Sequence, residues 1–419
     1  GAGSASETAP GSSRFTNAPP YPCGPLPVIC WGMQITGLRA VPYTFAASRP
    51  ISDVNFPEGR QEMRATALFV DTDTELVGIA VCGSTPEALA AFEPLLVGRD
   101  PGAVRGLYKR MVDEVFKVGN RGATTAPIAA IDMALWDLKA KAADEPLWKT
   151  LGASEGRVRV YASDIGIGLS DEELRGYYAR MAGLGISAGK LKVGHDPEAD
   201  LRRLAIMQEE LSRVGPSPLL CIDSNEYWSP KQAIISIREL ERHFPLFWVE
   251  EPADRWDYVG LAKVSAAVTA QVATGENLKD PTEIGPLIRH GAMDVFEPNP
   301  GGMGITGALI AAETCATFRI PVAMMNSPGN VAAHLAAALP NHMMMEVPDL
   351  GRDAWFTTDA EIVNGEIVLG TAPGLGYVPD LDALDELSRR ESPGAHSGGM
   401  ARRPGAGAIP SPPRRGRPD

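Results

Sequence analysis

No stretch of this 419-residue chain approaches the roughly 20 consecutive apolar residues that a membrane helix requires, so a membrane partner is not expected. Basic residues are in deficit: 39 Lys and Arg against 52 Asp and Glu leave a formal charge of -13, which argues against nucleic acid. Small molecules remain. Cysteine is scarce, and Cys23, Cys30, Cys82, Cys221 and Cys315 show no metal-ligand spacing. No disulfide is predicted, and reduced thiols in a cytoplasm are the default.

What is present is core-forming material: 44% apolar and 22% charged residues, enough for a large core and two domains. Residues before Met33 are rich in Gly, Ser, Pro and Ala without apolar periodicity. They read as a disordered leader without a secretion signal, and Met33 is the expected natural start. From about Ser392 the chain turns Pro, Gly and Arg rich, with Arg402, Arg403, Arg414, Arg415 and Arg417, and reads as a solvated disordered tail. Between them the pattern predicts strands over 34–45 and 64–81, then helices over 86–96, 103–118 and 126–151. That is an α+β unit. From Arg157 the pattern changes to short β-rich runs separated by helix-sized segments: 158–162, 189–193, 219–223, 246–250, 271–274, 294–296, 321–324 and 343–346. Eight such runs predict a closed parallel barrel. An open doubly wound sheet is the alternative, but no glycine-rich phosphate loop follows the first of these strands. A hairpin is expected at Asn364-Gly365, in a stretch that packs back on the first unit.

Three of those runs end in carboxylates: Leu219-Leu220-Cys221-Ile222-Asp223, Phe247-Trp248-Val249-Glu250 and Val272-Ala273-Thr274-Gly275-Glu276. Lys190-Leu191-Lys192 closes the run before them. Hard oxygen ligands on separate strands beside paired ammonium groups describe a divalent-metal site built for proton abstraction. Side chains two apart share a strand face, so Lys190 and Lys192 point the same way, and Asn225 follows Asp223. Which of Glu250 and Glu251 faces inward depends on strand phase. A lone strand-end carboxylate is commonly a helix cap; three on adjacent strands are not.

These residues resemble a known family. Ala126-Pro127-Ile128-Ala129-Ala130-Ile131-Asp132-Met133-Ala134-Leu135-Trp136-Asp137-Leu138-Lys139, Lys190-Leu191-Lys192-Val193-Gly194, Ile222-Asp223-Ser224-Asn225, Trp248-Val249-Glu250-Glu251-Pro252 and Gly275-Glu276-Asn277 are similar to the enolase superfamily, in its mandelate racemase/muconate lactonizing branch. The resemblance runs from about Met33 to Pro379. It implies an α/β fold: a modified (β/α)7β TIM-like barrel over 159–355, an α+β capping domain over 33–158 and a C-terminal segment over 356–390 that returns to the cap, flanked by the leader 1–32 and the tail 391–419. It further implies Mg2+ held by Asp223, Glu250 and Glu276, Lys192 as base, and Lys190 beside it keeping Lys192 partly neutral by like-charge repulsion. Glu346 is implied to hydrogen-bond the far oxygen of a substrate carboxylate; its plain alternative is a rim carboxylate paired to a surface cation. Asn225 and Asn326 are assigned to substrate binding.

Departures from that pattern direct the functional reading. Racemizing members carry a second base, either an Asp–His dyad from the sixth and seventh strands or a lysine on the sixth. Here those places read Phe296-Glu297-Pro298-Asn299-Pro300-Gly301-Gly302 and Met325-Asn326-Ser327-Pro328. His334 reads as a helix packing residue and His195 as a loop residue. One base suffices for β-elimination, whereas 1,1-proton transfer needs an acid on the other face. Dehydration of a hydroxylated carboxylate of the sugar-acid class is therefore expected, with 49–56 resembling a mobile specificity loop. Racemase, epimerase or cycloisomerase activity is the second expectation, and a non-catalytic carboxylate-binding relic the third. The expected partners are a small carboxylate and further copies of the chain.

Overall fold

The computed structural model describes residues 32–119, 122–327 and 331–390, together with Gly1 and Gly3. The leader up to Trp31, the tail from 391, Cys23, Cys30 and Pro328 otherwise lie outside the described residues.

An antiparallel sheet comes first, β1 (Ile35–Ile51), β2 (Arg60–Thr72) and β3 (Val77–Cys82) in that order. The single strand expected over 64–81 is two, because the polar run after Thr72 turns the chain, with the Thr72 hydroxyl donating to the Leu76 carbonyl at 2.8 Å. The expected helix over 126–151 likewise divides into Thr125–Ala142 and Leu147–Thr150, where Asp144 takes a left-handed backbone (φ 53) and Pro146 lacks a donor. The helix expected over 86–96 splits into Pro86–Ala90 and Glu93–Leu96.

Eight parallel strands follow: β4 (Arg157–Ser163), β5 (Ala188–Lys192), β6 (Leu219–Asp223), β7 (Leu246–Glu250), β8 (Gln271–Thr274), β9 (Val295–Phe296), β10 (Val322–Met324) and β11 (His342–Val347). Each pairs with the next, and β11 returns to β4 through Met345–Val160, Glu346–Tyr161 and Val347–Ala162. The sheet is closed, and the open doubly wound alternative is excluded. Among the described residues, seven α-helices connect these eight strands. Gly189 shows why β5 needs a glycine: a Cβ there would lie 2.7 Å from the Leu211 side chain and 2.8 Å from the Met207 sulfur of the helix behind it.

The barrel floor takes one side chain from every strand: Tyr161, Ala188, Cys221, Trp248, Ala273, Val295, Ala323 and Met344. Two large rings meet edge to face with centroids 5.1 Å apart, Tyr161 on Trp248, and three alanines make room for them. This plug lifts the next inward-facing side chains to the carboxyl end.

Polar residues of the helix Thr125–Ala142 fasten the first unit to the rest. The Asp132 carboxylate accepts the Thr306 amide at 2.8 Å and its hydroxyl at 2.6 Å. Asp137 accepts the amides of Ile79 and Leu375 and pairs with Lys141 at 2.6 Å. Beyond the barrel, β12 (Phe356–Thr357) pairs with β15 (Val378–Pro379), while β13 (Glu361–Val363) and β14 (Glu366–Val368) form the hairpin at Asn364 and Gly365. That hairpin lies on β4 through residues 157–159 rather than on the first sheet. The segment reaches the first unit elsewhere, with Trp355 against Tyr43 and Phe69 and the Gly374 carbonyl on the Leu147 amide. Among the described residues no helix is long and apolar enough to cross a membrane.

Candidate active site

The register of the strands decides where the charges meet. Lys190 pairs with Cys221 across β5–β6 and Lys192 with Asp223, and Asp223 pairs with Glu250 across β6–β7, so one inward-facing row climbs from lysine to carboxylate. The Lys190 ammonium donates to Glu250 Oε1 at 2.7 Å and Oε2 at 2.6 Å, lies 3.0 Å from Glu346 Oε1 and 3.6 Å from Asp223 Oδ2, and sits 5.6 Å from the centroid of the Tyr161 ring. Lys192 donates to Asp223 Oδ2 at 2.5 Å. Lys190, Lys192, Asp223, Glu250 and Glu346 are all buried. Five ionised groups out of water persist only because the two signs interleave.

Past each strand the backbone turns sharply. Asn225 (φ 42) and Glu226 (φ 58) follow Asp223, and the Asn225 amide donates to Asp223 Oδ1 at 2.8 Å. Glu251 (φ 43) reverses direction after Glu250, and its Oε1 accepts the Asn277 side-chain amide at 2.8 Å. Glu250, not Glu251, therefore faces Lys190. Gly275 (φ 132) precedes Glu276 where a Cβ would stand 2.6 Å from the Phe296 ring, so the chain reaches Glu276 only through glycine. Glu276 is half-buried and accepts the Asn277 side chain at 3.1 Å. Outside this ring, Arg255 holds Glu226 through two hydrogen bonds of 2.6 and 2.9 Å and the Asn277 carbonyl at 2.9 Å, tying the β6, β7 and β8 loops together.

Proton affinities follow from the crowding. Burial is the largest influence on the Lys192 amine and lowers it, as does the like charge of Lys190, but Asp223, Glu276 and Glu250 together raise it, so it stands well above the ordinary lysine range. Burial and the repulsion of Asp223 push Glu250 up, although its two close contacts to Lys190 are those of an ion pair. Burial opposes the charge on Glu346, yet Lys190 and Lys192 hold it down to about 2. Glu346 is thus a buried carboxylate clamped on Lys190, not a rim group on a surface cation, and in this state it has no proton to donate. Asn326 anchors its other oxygen through both its backbone amide, at 3.2 Å, and its side-chain amide.

Asp223, Glu250 and Glu276 are hard oxygen donors from adjacent strands whose mutual repulsion a dication would relieve, which is the donor chemistry Mg2+ takes. Among the described residues no three Asp, Glu, His or Cys side chains stand in the spacing of a finished ion cage, and the two ammonium groups lie among the carboxylates instead. The donor set fits; occupancy requires the lysines to give way.

Sequence reasoning missed Glu297, which directly follows β9, is buried against Glu250 and leaves Oε2 without a hydrogen-bond partner among the described residues. Its signal was visible, since it directly follows the apolar end of a barrel run. Tyr161 was also missed; a tyrosine within an apolar strand carries no such signal. His334 is buried, accepts the Trp148 amide at 3.2 Å and packs rather than titrates, its pKa lowered to about 3 by burial. His195 lines a separate cleft with Asp171, Asp196 and Arg202. The loop over 49–56 is pinned, not free. Arg49 donates to the carbonyls of Asp164, Pro348 and Asp349 and stacks on Tyr177 at 4.5 Å, and the Asn55 side chain donates to the Asn225 carbonyl at 2.9 Å.

Residues 57–152 match the family profile "Mandelate racemase / muconate lactonizing enzyme, N-terminal domain", and residues 173–383 match "Enolase C-terminal domain-like". The chain belongs to the mandelate racemase/muconate lactonizing enzyme branch of the enolase superfamily, and is an enzyme of its lyase or isomerase kind. It is 33% identical to the L-talarate/galactarate dehydratase of Salmonella typhimurium over 81% of this chain and 86% of that one. It is 30% identical to the 3,6-anhydro-alpha-L-galactonate cycloisomerase of Streptomyces coelicolor over 70% and 80% respectively. The crystal structure of the L-talarate dehydratase of Polaromonas, complexed with Mg and L-glucarate, superimposes with a TM-score of 0.76 at 29% identity, covering 86% of this chain and 98% of that one.

Proposed function

We propose that this chain removes the proton α to a carboxylate and eliminates water from a hydroxylated acid of the sugar-acid class, with Lys192 as base. The observation that carries this is the asymmetry of the ring: β5 brings two lysines among carboxylates, whereas the β9 and β10 ends carry Glu297, Asn299 and Asn326 with no lysine or histidine. Asp223, Glu250 and Glu276 would hold Mg2+, which would supply neutralisation of the charge that develops on the enediolate. Lys192 accepts a proton only as the free amine, and Asp223 now keeps it charged. Once Asp223 serves a cation instead, that hold is lost, and burial with the like charge of Lys190 lowers the amine toward working pH. Lys190, clamped by Glu346, orients the substrate carboxylate, and a lysine ammonium gives its proton to the departing hydroxide. Asn225 and Asn326 present amide groups to the remaining hydroxyls, each with a buried side-chain oxygen that has no partner among the described residues.

The test is incubation of the Mg2+-loaded chain with a panel of sugar acids in deuterated water. Formation of an α-keto acid with exchange from one face is the expected result; accumulation of an epimer without keto acid would overturn it. Cycloisomerisation is the second reading, favoured by the cycloisomerase relative, and would yield an isomer of unchanged mass.

A further inference from the structure

The relatives divide between acids with one carboxylate, the galactonate derivative, and acids with two, galactarate and glucarate. One arginine bears on that division. Arg352 stands six residues beyond Glu346 in the loop that leaves β11, at the carboxyl-end rim and beneath the first unit, whose Ser48 and Arg49 bind the carbonyls of Asp349 and Leu350 in the same loop. Arginines elsewhere in this part of the molecule are occupied: Arg49 on three carbonyls, Arg203 on Asp164 and neighbouring carbonyls, Arg255 on Glu226. Arg352 is half-buried and makes no hydrogen bond or ion pair with any described residue. Burial lowers its pKa, and Glu346, Asp353 and the Tyr43 hydroxyl are the groups near enough to act on it. A guanidinium withdrawn from water with five unused donors is costly unless an anion meets it, and its fork matches a carboxylate with two parallel hydrogen bonds.

Resting on the proposed proton abstraction, we infer that Arg352 binds the far carboxylate of the substrate, so that the preferred substrate is a dicarboxylic sugar acid. One end of such an acid lies at Lys190 and Lys192, and the other reaches the loop after β11.

The test uses the full chain loaded with Mg2+ and titrated calorimetrically with galactarate, galactonate and galactonate phosphorylated at its far end. Galactarate should bind about a hundredfold more tightly than galactonate. Arg352→Met should erase that preference and leave galactonate affinity unchanged, and Arg352→Lys should restore part of it. The lysine variant carries the comparison if the methionine variant does not fold. Equal wild-type affinity for diacid and monoacid, tightest binding of the phosphorylated acid, or an equal loss for both acids in Arg352→Met would each overturn the assignment. Failure of the proton-abstraction reading shows differently, as absence of α-proton exchange with every acid while the diacid preference in binding persists.

Discussion

The two walls of the barrel mouth are built on opposite principles. On the β5–β7 wall, ammonium groups and carboxylates alternate within 2.5–3.6 Å, and every charge is met by its opposite. On the β9–β10 wall the polar groups are amides and one carboxyl, Glu297, with unpaired oxygens on Asn326 and Glu297. The first wall can move protons, because small rearrangements among its ions change proton affinity by several pKa units. The second can recognise hydroxyls but, apart from Glu297, cannot exchange a proton near neutral pH. The proposed one-sided chemistry rests on that division.

The largest test is removal of the base. Lys192→Ala should lower both α-proton exchange and keto-acid formation by about a thousandfold or more, read by NMR in deuterated water. Comparable turnover in that variant would mean that another group does the chemistry. Next comes the metal. Glu250→Ala should abolish Mg2+ binding by calorimetry together with activity, whereas Glu251→Ala, which faces Asn277, should lose less of both; the reverse order would mean that the β7 phase is misread. Converting the far wall is subtler: Asn326→His should introduce slow exchange from the second face, about a hundredfold below the native rate. Glu297→Gln should leave elimination largely intact, and its loss would show that the far wall supplies an acid after all.

The smallest effect concerns stability. His334 has a folded pKa of about 3 against an ordinary value of 6.5, so the unfolded chain binds a proton that the folded one does not between those pH values. Its contribution to stability is present above about pH 6.5 and is lost as pH falls toward 3, at roughly 1.4 kcal/mol per pH unit within the window. His334→Gln should flatten the acid limb of melting temperature against pH, measured by calorimetry alongside the wild type.

The barrel was legible because eight β-rich runs with strand-end charges are a global pattern that no single loop can disguise. Strand-end position and period-two alternation put Asp223 and Lys192 on inward-facing rows, while their expected roles came from the family resemblance. Glu250 against Glu251 was not, since the deciding fact is the positive φ at Glu251, a product of the packing of three loops. The hold on Lys192 was hidden for a related reason: sequence shows Lys190 two positions away but not Asp223 at 2.5 Å, on the next strand. Arg352 and Arg49 carry no sequence motif, and only their neighbours, or the lack of them, give them meaning.

Arg49 joins residues 300 positions apart, reaching from the end of β1 to the Asp349 carbonyl just past the final barrel strand, and it also holds Asp164 beyond the first barrel strand. The seam where β11 meets β4 is therefore stitched from outside the barrel by a residue near the start of the described chain. During synthesis on the ribosome this stitch cannot be made until the final barrel strand has emerged, so the first sheet must wait, with its docking face unsatisfied, for β11 and the loop beyond it. The mouth of the barrel is accordingly completed only after its final strand is made, and a chain truncated before Asp349 should remain open there and be cut first by a protease.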